Sequence, residues 1–535
     1  MNNRRKGRLM DIKEHVKTLG CKVNQAESNK ILEIIENNDI INEFFVINTC
    51  TLTTKTDSKC RNLINKIINT NIKNFDNFLI ITGCFIERCY DELFEKYKKN
   101  ELFEKIILVK NTDKLKINCF LHKIEKIKIL IKEKKNNLTT TKILKDLIKK
   151  SNDFNEILNN LDIFIKTEEE KIKKNFEIAN LNKNEFSKKS IILKNQKILE
   201  KNANIAKTRA FLKIQDGCDS FCNYCIVPFV RPKKWSLPFN ELSKEIKNIL
   251  NKNYQEIVLT GTRIGFYESL DNNGNIIKFQ DILNEISKNK NLKRIRISSI
   301  EPTEITDEII EIMAKNKNIC EHLHISIQSG DDEILKKMNR NYDTFYLRNL
   351  FEKMRTKIKD LRITIDLIIG YLEESDKHFE NTLKFLEEVK IDGIHIFPFS
   401  PRKGTNAYNA LQNNSKLKIP THILEYRKKI MLNFNKNITE NSLKKFANRD
   451  FEVFFENFEN IRNKNFVSGY TKNYMKVLCN TKKLKILLKK DENSQQYEIS
   501  KRDLILKKGK FIKLTLNSKN IEINDKMQAI FKIRT

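Results

Sequence analysis

The chain has 535 residues, and 101 Lys and Arg against 69 Asp and Glu give it a formal net charge of +32 at pH 7. This length exceeds one ordinary hydrophobic core, so several domains are expected. The sequence contains no uncharged apolar run that could span a membrane and no signal-peptide core in MNNRRKGRLM, which predicts a cytoplasmic protein without a membrane partner. In that reducing compartment, the eleven cysteines favour metal binding or catalysis over disulfides.

Residues 10–110 alternate short apolar runs with helical stretches that begin near Ser28 and Asp57. Such alternation predicts a parallel α/β sheet. The predicted strands are His15 to Leu19, Phe44 to Asn48 and Phe78 to Thr82, followed respectively by Gly20-Cys21, Thr49-Cys50 and Gly83-Cys84. Sites in open parallel sheets form beyond the carboxyl ends of strands, so the three cysteines are expected to converge.

Residues 111–207 are rich in Lys, Asn and Ile and contain neither Gly nor Pro. Helical periodicity appears in places, and no residue pattern there indicates chemistry. We expect a helical insertion or a linker.

A second α/β unit is predicted over residues 208–446. Six strands separated by helix-length segments indicate an incomplete (β/α)6 barrel, whose site belongs at the strand carboxyl ends. The predicted strands are Phe211 to Gln215, Glu256 to Thr260, Arg294 to Ser298, His322 to Ser326, Thr364 to Ile369 and Gly393 to Phe397.

Residues 447–535 change to short strand-like pieces and predict a small all-β domain. Lys and Asn are abundant along the whole chain, as in proteins from AT-rich genomes, so overall charge does not decide on a nucleic-acid partner. Residues 448–535, however, hold 20 basic and 10 acidic residues, a net charge of +10. This local excess favours a phosphate-binding face.

The strongest motif is Cys218-Asp-Ser-Phe-Cys222-Asn-Tyr-Cys225, which directly follows the first barrel strand. Three thiolates on one loop can hold a [4Fe-4S] cluster and leave one iron open for a small molecule. The alternative, a zinc site, normally needs four Cys or His ligands, and this loop supplies no fourth one.

The segment KIQDGCDSFCNYCIVPFVRP resembles the cluster loop of the radical S-adenosylmethionine (SAM) methylthiotransferases of MiaB, MtaB and RimO type. Further segments resemble this family in the same order along the chain: TLGCKVNQAES, VINTCTLTTKTDSKCR, ITGC, RISSIEP, HLHISIQSGDDEILKKMNR, IFPFSPRKGTNA, and GYTKNYMKV of the RNA-binding TRAM domain. The resemblance covers nearly the whole chain outside 111–207. It implies a radical SAM barrel and a C-terminal TRAM-like barrel.

The resemblance also implies roles for the cysteines. Cys218, Cys222 and Cys225 would hold the cluster that cleaves SAM to a 5′-deoxyadenosyl radical, which attacks adenine C2–H. A second [4Fe-4S] cluster on Cys21, Cys50 and Cys84 would deliver the methylthio group. The implied partners are tRNA, an electron donor such as a flavodoxin or ferredoxin, and a sulfur source.

SAM contacts are expected from Tyr224 in the loop and from residues at strand ends, although each of the latter could equally be ordinary turn chemistry. The strand-end candidates are Thr260, Gly261, Ser298, Glu301, Ser326, Gln328, Asp366 and Gly370. His322 and His324 share a strand face and are interpreted as hydrogen-bonded barrel residues rather than catalytic bases. The isolated cysteines are predicted to be small buried apolar residues: Cys60, Cys89, Cys119, Cys320 and Cys479.

The chain departs from the family pattern at two places, both of which bear on SAM binding and activity. Where the family usually has Arg-Gly-x-x-Arg-Ser, this chain reads Arg231-Pro232-Lys233-Lys234-Trp235-Ser236 and lacks the second Arg. Where the family has Gly-Phe-Pro-Gly-Glu, it reads Gly370-Tyr371-Leu372-Glu373-Glu374 and lacks the turn glycine.

The sequence around the first cysteine resembles that of the MtaB branch, which modifies N6-threonylcarbamoyladenosine beside the anticodon. It reads Leu19-Gly20-Cys21-Lys22-Val23-Asn24-Gln25. The isopentenyladenosine enzymes of MiaB type usually carry a Gly-Cys-Gln-Met-Asn type sequence there. Two alternatives stay open at this point. One is the isopentenyladenosine substrate, and the other is a non-catalytic iron-sulfur protein that binds tRNA.

Overall fold

The computed structural model describes residues 15–36, 43–73, 75–133, 139–178, 209–461, 464–481, 511–523 and 529–533. The chain divides into two compact units, each made of two stretches of sequence. The first comprises Met1–Asn202 and Ile226–Lys233, and the second comprises Ala203–Cys225 and Lys234–Thr535. Among the described residues, no helix combines the length and the apolar character that crossing a membrane requires.

The first unit contains a four-stranded sheet in the order β1-β2-β3-β4, with every neighbouring pair parallel. Its strands are β1 (Val16–Thr18), β2 (Phe44–Thr49), β3 (Phe78–Gly83) and β4 (Ile106–Val109), and helices Lys22–Glu36, Thr54–Ile67 and Cys84–Lys98 follow the first three. The predicted parallel α/β domain is confirmed. Sequence patterns missed β4, whose four residues are too short a run to distinguish from part of a buried helix.

The segment after residue 110 packs onto this sheet. Helices Lys116–Glu133, Thr140–Lys150 and Phe154–Ile178 share a buried core with β2 and β3, in which Phe120 and Leu121 join Phe44 and Phe78. A parallel sheet needs cover on both faces. These helices, together with helix Lys22–Glu36, cover one face, and helices Thr54–Ile67 and Cys84–Lys98 cover the other. The compact unit therefore continues past the domain boundary expected at residue 110.

The second unit contains six parallel strand positions in chain order, and the third position is occupied by two short strands, Arg294–Ile297 (β11) and Ser299–Ile300 (β12). The parallel pairing runs β5-β8-β11 in one sheet and β12-β13-β14-β15 in the other. This confirms the incomplete barrel. Its strands are β5 (Arg209–Lys213), β8 (Glu256–Thr260), β11 (Arg294–Ile297), β12 (Ser299–Ile300), β13 (His322–Gln328), β14 (Arg362–Ile369) and β15 (Gly393–Pro398), with short antiparallel pairs β6 (Gln215–Asp216) with β7 (Trp235–Ser236) and β9 (Glu268–Leu270) with β10 (Ile276–Lys278).

Helices connect these strands, and several begin at a side chain that caps the first backbone N–H groups. Thr306, Asp331, Asp343, Ser375 and Thr405 are such N-caps. The helices are Phe239–Asn251, Phe279–Ser287, Asp307–Lys315, Asp332–Lys337, Thr344–Lys357, Asp376–Glu388, Asn406–Asn413 and Thr421–Lys445, and Val227–Val230 belongs to the first unit.

The C-terminal part forms a six-stranded sheet in the order β19-β16-β17-β18-β21-β20, which confirms an all-β domain. Its strands are β16 (Arg449–Ile461), β17 (Lys464–Thr471), β18 (Lys476–Asn480), β19 (Phe511–Leu516), β20 (Ile521–Ile523) and β21 (Ala529–Ile533). Two buried barrel arginines bind it: Arg294 donates to the carbonyls of Tyr470 (3.0 Å) and Glu452 (2.7 Å), and Arg296 donates to that of Lys472 (3.1 Å). The all-β domain therefore satisfies buried charges of the barrel.

Candidate active site

The structure brings Cys21, Cys50 and Cys84 to one edge of the first sheet. Cys50 directly follows β2, Cys84 opens the helix after β3, and Cys21 lies just beyond β1. Cys50 and Cys84 are buried, whereas Cys21 is exposed. Burial, together with the nearby Cys21 and Cys84, raises the pKa of the Cys50 thiol to about 12. A bound metal ion would reverse this preference, because metal ligation deprotonates thiols outright.

Two glycines allow these cysteine loops to meet. Gly20 and Gly83 adopt φ values of 104° and 105°, a region that side chains rarely occupy. A Cβ on Gly20 would lie 2.5 Å from Cβ and 2.7 Å from Sγ of Cys50, and one on Gly83 would lie 2.3 Å from the Thr49 carbonyl oxygen. Any larger residue would therefore displace the neighbouring loop.

A buried polar group supports the same two loops. The Asn24 amide donates to the carbonyls of Leu19 (2.8 Å) and Thr49 (2.9 Å), just before Cys21 and Cys50. Arg231 donates to the Asn24 side-chain oxygen (2.7 Å) and to the Glu27 carboxylate (3.0 Å). Asn24 and Glu27 lie inside the quoted TLGCKVNQAES segment, so the signal was present, but only the fold reveals their partner.

Cys218, Cys222 and Cys225 lie on a single loop of the second unit, all with intermediate exposure. The Cys225 N–H donates to the Cys222 carbonyl (2.9 Å), which makes a tight turn between these two residues. The Asn223 N–H donates to the Met338 carbonyl (3.1 Å), and its side chain donates to that of Lys337 (2.9 Å). The loop is thus fixed by the residues that follow β13.

Arg340 is a functional candidate that sequence reasoning missed. Its guanidinium donates to the Cys222 sulfur (3.3 Å), to the Ser326 carbonyl (2.6 Å) and to the Glu301 carboxylate, and it lies 3.4 Å from the Tyr224 hydroxyl. It ends the quoted HLHISIQSGDDEILKKMNR segment, yet its contact with a cysteine 118 positions away could not be read from spacing. Four expected site residues therefore meet at one buried cation.

Tyr224 packs in a small apolar cluster rather than standing in open space. Its ring lies edge-on to Tyr371 at 6.4 Å between centroids, and Met338 and Leu372 belong to the same cluster. Burial raises the pKa of the Tyr224 phenol well above its usual value. The hydroxyl is therefore a neutral group beside Arg340.

Thr260, Gly261 and Ser298 lie at the carboxyl ends of β8 and β11. The Thr260 hydroxyl donates to the Leu212 carbonyl (3.4 Å), and a Cβ on Gly261 would lie 3.0 Å from that of Gln215, so these two residues serve local packing. The Ser298 hydroxyl is buried and has no hydrogen-bond partner among the described residues. A buried hydroxyl without a protein partner can hydrogen-bond a polar ligand, such as SAM, at the barrel end.

Asp366 is the centre of a hydrogen-bonded group. It accepts from His324 Nε2 (2.8 Å) and from the Ser326 hydroxyl (3.3 Å), and His395 Nδ1 lies 3.4 Å away. Burial disfavours the charged carboxylate, but the two histidines hold the pKa of Asp366 below its usual range. One possible metal-ligand atom from each of Asp366, His324 and His395 lies within 4.8 Å of the other two, which would allow a cation. The carboxylate of Asp366 is, however, already satisfied by its hydrogen bonds.

His322 and His324 do share a strand face, since both bind the Thr364 hydroxyl, at 2.9 and 2.8 Å. His395, which sequence reasoning did not select, is exposed, and its ring centre lies 4.5 Å from that of His324 with the two ring planes tilted by 41°. It lies one residue before the quoted IFPFSPRKGTNA segment. Only the pairing of β14 with β15, which sets Asp366 opposite His395, identifies it as a neighbour.

Gln328 and Gly370 both have positive φ, 67° and 71°, at the ends of β13 and β14. The Gly370 N–H donates to the Glu374 carboxylate (2.8 Å), which also accepts from Arg427. Glu373 stands where the family has its turn glycine and adopts φ 57°. The departure from the family pattern thus preserves the turn at the cost of a left-handed glutamate.

Four of the five isolated cysteines are buried as predicted, and Cys60 donates a hydrogen bond to the Cys50 carbonyl (3.2 Å). The prediction is wrong for Cys119, which is exposed. It lies on helix Lys116–Glu133, whose buried residues Ile117, Phe120 and Leu121 face the sheet core and leave position 119 outside.

Two family models match the chain: Radical SAM superfamily over residues 212–386 and Uncharacterized protein family UPF0004 over residues 13–104. Threonylcarbamoyladenosine tRNA methylthiotransferase MtaB of Bacillus subtilis is 29% identical over 86% of this chain and 89% of its own length. The protein of the same name from Thermotoga maritima is 30% identical over 73% of this chain and 76% of its own length.

A relative with another named substrate is equally similar. The tRNA-2-methylthio-N(6)-dimethylallyladenosine synthase of Thermodesulfovibrio yellowstonii is 28% identical over 83% of this chain and 87% of its own length. The two family models cover the residues on which both cysteine sets lie. The chain therefore belongs to the radical SAM methylthiotransferase family and resembles its MtaB-type members.

Proposed function

We propose that this protein attaches a methylthio group to C2 of N6-threonylcarbamoyladenosine at position 37 of tRNA. The family supports an iron-sulfur cluster and SAM as cofactors, while two [4Fe-4S] clusters are part of the proposal. The observation that carries it is the presence of two three-cysteine sets, each at the carboxyl end of parallel strands. When bound, the clusters and SAM would supply radical chemistry and sulfur.

The chain's own residues bind and position these groups. Cys218, Cys222 and Cys225 would hold one cluster, and Arg340 would donate to the sulfur of Cys222. Cys21, Cys50 and Cys84 would hold the other, with Asn24 fixing the two loops that precede Cys21 and Cys50. A flavodoxin or ferredoxin and a sulfur source would complete the cycle.

SAM would lie at the strand ends of the barrel. The buried Ser298 hydroxyl offers a hydrogen bond, and Asp366 with His324 and His395 offers a fixed polar group. Tyr224, Glu301, Ser326, Gln328 and Gly370 border the same strand ends, whereas Thr260 and Gly261 serve local packing at the end of β8.

The substrate branch rests on the sequence around Cys21 and on relatives named MtaB. A threonylcarbamoyl group carries a carboxylate and hydrogen-bonding groups, whereas an isopentenyl group is apolar. A pocket built for the polar group would leave buried donors unpaired with the apolar one, which produces strong discrimination.

The test compares tRNA bearing threonylcarbamoyladenosine with tRNA bearing isopentenyladenosine in parallel reactions, with the methylthio nucleoside read by mass. Preference for the isopentenyl substrate would overturn the branch and leave the reaction class standing. SAM cleavage without modification of either tRNA would favour a different substrate. Absence of SAM cleavage by the reduced protein would favour a non-catalytic iron-sulfur protein.

The basic all-β domain would bind tRNA mainly through phosphates and 2′-hydroxyls. Removing the domain would leave the buried Arg294 and Arg296 without their carbonyl acceptors, so point changes are the better test. Replacing the exposed Lys464 and Lys519 with Ala should weaken tRNA binding and reduce its salt dependence. The exposed Lys288 and Lys403 of the barrel unit are matched controls.

A further inference from the structure

Three aromatic side chains near the second cysteine set are exposed to solvent. Phe221 lies in the cysteine loop and is 52% exposed, Trp235 on β7 is 38% exposed, and Phe266 is 47% exposed. We refer to these three side chains as the aromatic rim. Single exposed rings are ordinary on a protein surface, whereas several exposed rings connected to one loop mark a candidate interaction surface.

Short contacts connect the rim to the cysteine loop. Trp235 pairs in register with Asp216, two residues before Cys218, and the Lys213 ammonium lies 5.6 Å from the centre of its indole ring. The Thr262 hydroxyl donates to the Asp216 carboxylate (2.8 Å), which links β6 to the segment that carries Phe266.

Arg263 makes the second connection. Its guanidinium lies 3.3 Å from the centre of the Phe266 ring and donates to the hydroxyl of Ser220, the residue before Phe221. The neighbouring Tyr267 is buried and donates to the Leu237 carbonyl (2.7 Å), which fixes the backbone beside Phe266. The backbone beside Phe266 is therefore fixed, and each of the three rings keeps more than a third of its surface exposed.

We propose that the aromatic rim is a stacking surface for unpaired nucleotides of an RNA loop presented to the cysteine loop. The proposal rests on the proposed tRNA function and names the part of the protein that receives the bases flanking the modified one. A base whose C2 edge faces the reacting groups has left its stack, so its neighbours need new stacking partners. Aromatic rings and arginine planes are the usual partners of such bases in proteins.

The position of Trp235 agrees with this role. It stands where the family usually has Arg, and both indole and guanidinium are flat groups that stack on bases. Nearby cations are already paired with carboxylates: Lys213 with Asp216 and Arg263 with Glu304. The rim should therefore contribute stacking rather than phosphate attraction, and its contribution should not depend on salt.

Trp235 is the chain's one tryptophan, so its fluorescence reports on the rim directly. The full-length protein, with its clusters reconstituted anaerobically, is titrated with an unmodified anticodon stem-loop RNA. We expect the Trp235 emission to fall as the RNA binds. Replacing Trp235 and Phe266 together with Leu should weaken binding by about tenfold or more, at low and at moderate salt alike.

Two further variants define the mechanism. Trp235→Phe keeps a ring and should retain most of the affinity, whereas a loss equal to that of Trp235→Leu would overturn stacking. Phe345→Leu removes another exposed ring, 69% exposed, on helix Thr344–Lys357, and should leave binding unchanged. Wild-type fluorescence quenching needs no variant, so the result does not depend on how well a variant folds.

The outcomes separate the inference from the proposed function. RNA binding with unchanged Trp235 emission and undiminished affinity of the double variant would overturn the rim alone. Failure of the wild-type protein to bind the stem-loop or whole tRNA would overturn the proposed function as well. Quenching by an unstructured polypeptide but not by RNA would assign the surface to a protein partner instead.

Discussion

The two cysteine sets are built in opposite ways. Cys218, Cys222 and Cys225 lie within one loop, so a short stretch of sequence brings them together. Cys21, Cys50 and Cys84 come from three strand ends, and the parallel register of β1, β2 and β3 brings them together. The first arrangement depends on local chain and one buried arginine, whereas the second depends on the whole sheet and two glycines.

The three cysteines of the single loop, Cys218, Cys222 and Cys225, form what we call the loop set, which should be essential for SAM cleavage. Replacing Cys218, Cys222 and Cys225 with Ala is expected to halve the iron content from about eight per chain and to abolish release of 5′-deoxyadenosine. Iron analysis and chromatography of the anaerobic reaction measure both quantities. The exposed Cys119→Ala is the control and should change neither. Unchanged 5′-deoxyadenosine release by the triple variant would refute the assignment.

The three cysteines at the strand ends, Cys21, Cys50 and Cys84, form what we call the sheet set, and its function should be separable from that of the loop set. Replacing Cys21, Cys50 and Cys84 with Ala is expected to leave SAM cleavage in place and to remove all methylthio product, because only sulfur delivery needs this set. Mass analysis of tRNA nucleosides beside the 5′-deoxyadenosine assay gives both readings. Loss of SAM cleavage in a variant with native circular dichroism would mean that the two sets do not act separately.

Backbone space at Gly20 should matter to the sheet set. Gly20→Ala places a Cβ 2.5 Å from that of Cys50, so about half of the iron should be lost while SAM cleavage persists. Gly274 is the matched control: it also has positive φ, 83°, but a Cβ there meets nothing within 4 Å. Equal iron loss in both variants would attribute the effect to backbone strain instead of to crowding.

Arg340 should tune the loop set. A cation that donates to a cluster sulfur favours the reduced, more negative state, so Arg340→Met should lower the reduction potential. We expect a shift on the order of 60 mV, a tenfold change for a one-electron couple. Redox titration followed by electron paramagnetic resonance, in the variant that lacks Cys21, Cys50 and Cys84, isolates this cluster. An unshifted potential would leave Arg340 with a packing role only.

The smallest effect concerns the turn after β14. The left-handed backbone of Glu373 destabilises the fold, so Glu373→Gly should stabilise the protein by about 1 kcal/mol. Loss of the exposed ion pair with Lys337 should reduce this gain slightly. Glu373→Ala keeps the strain and should bring no gain. Urea unfolding of both variants provides the comparison, and equal stability would show that the turn is unstrained.

Local patterns predicted the fold well where an element depends on its own residues. Strand Glu256–Thr260 has the predicted bounds, and the three sheet cysteines fall at strand ends as expected. Patterns failed where partners are distant in sequence. The helices after residue 110 show apolar spacing, but nothing in it says that they cover the first sheet.

The same limit applies to the candidate site. CxxxCxxC spacing identifies the loop set, and apolar runs ending in Cys identify the sheet set. Arg340 and Arg231 carry no such spacing, because their partners Cys222 and Asn24 lie over a hundred positions away. The exposed Cys119 shows the converse, since a lone cysteine gives no local sign of which helix face it occupies.

The discontinuity of the first unit sets an order on how the protein is made. Glu27 pairs with Arg231, which lies 204 positions later in the chain. At about 5 to 20 residues per second, a ribosome needs roughly 10 to 40 s to travel that distance. In the part of this interval after Lys114 is made, 87 positions after Glu27, the nascent first sheet holds Glu27 and Lys114 without Arg231, and Asn24 lacks the donor that orients it. Iron loading of Cys21, Cys50 and Cys84 is therefore expected to follow, rather than accompany, synthesis of the first sheet.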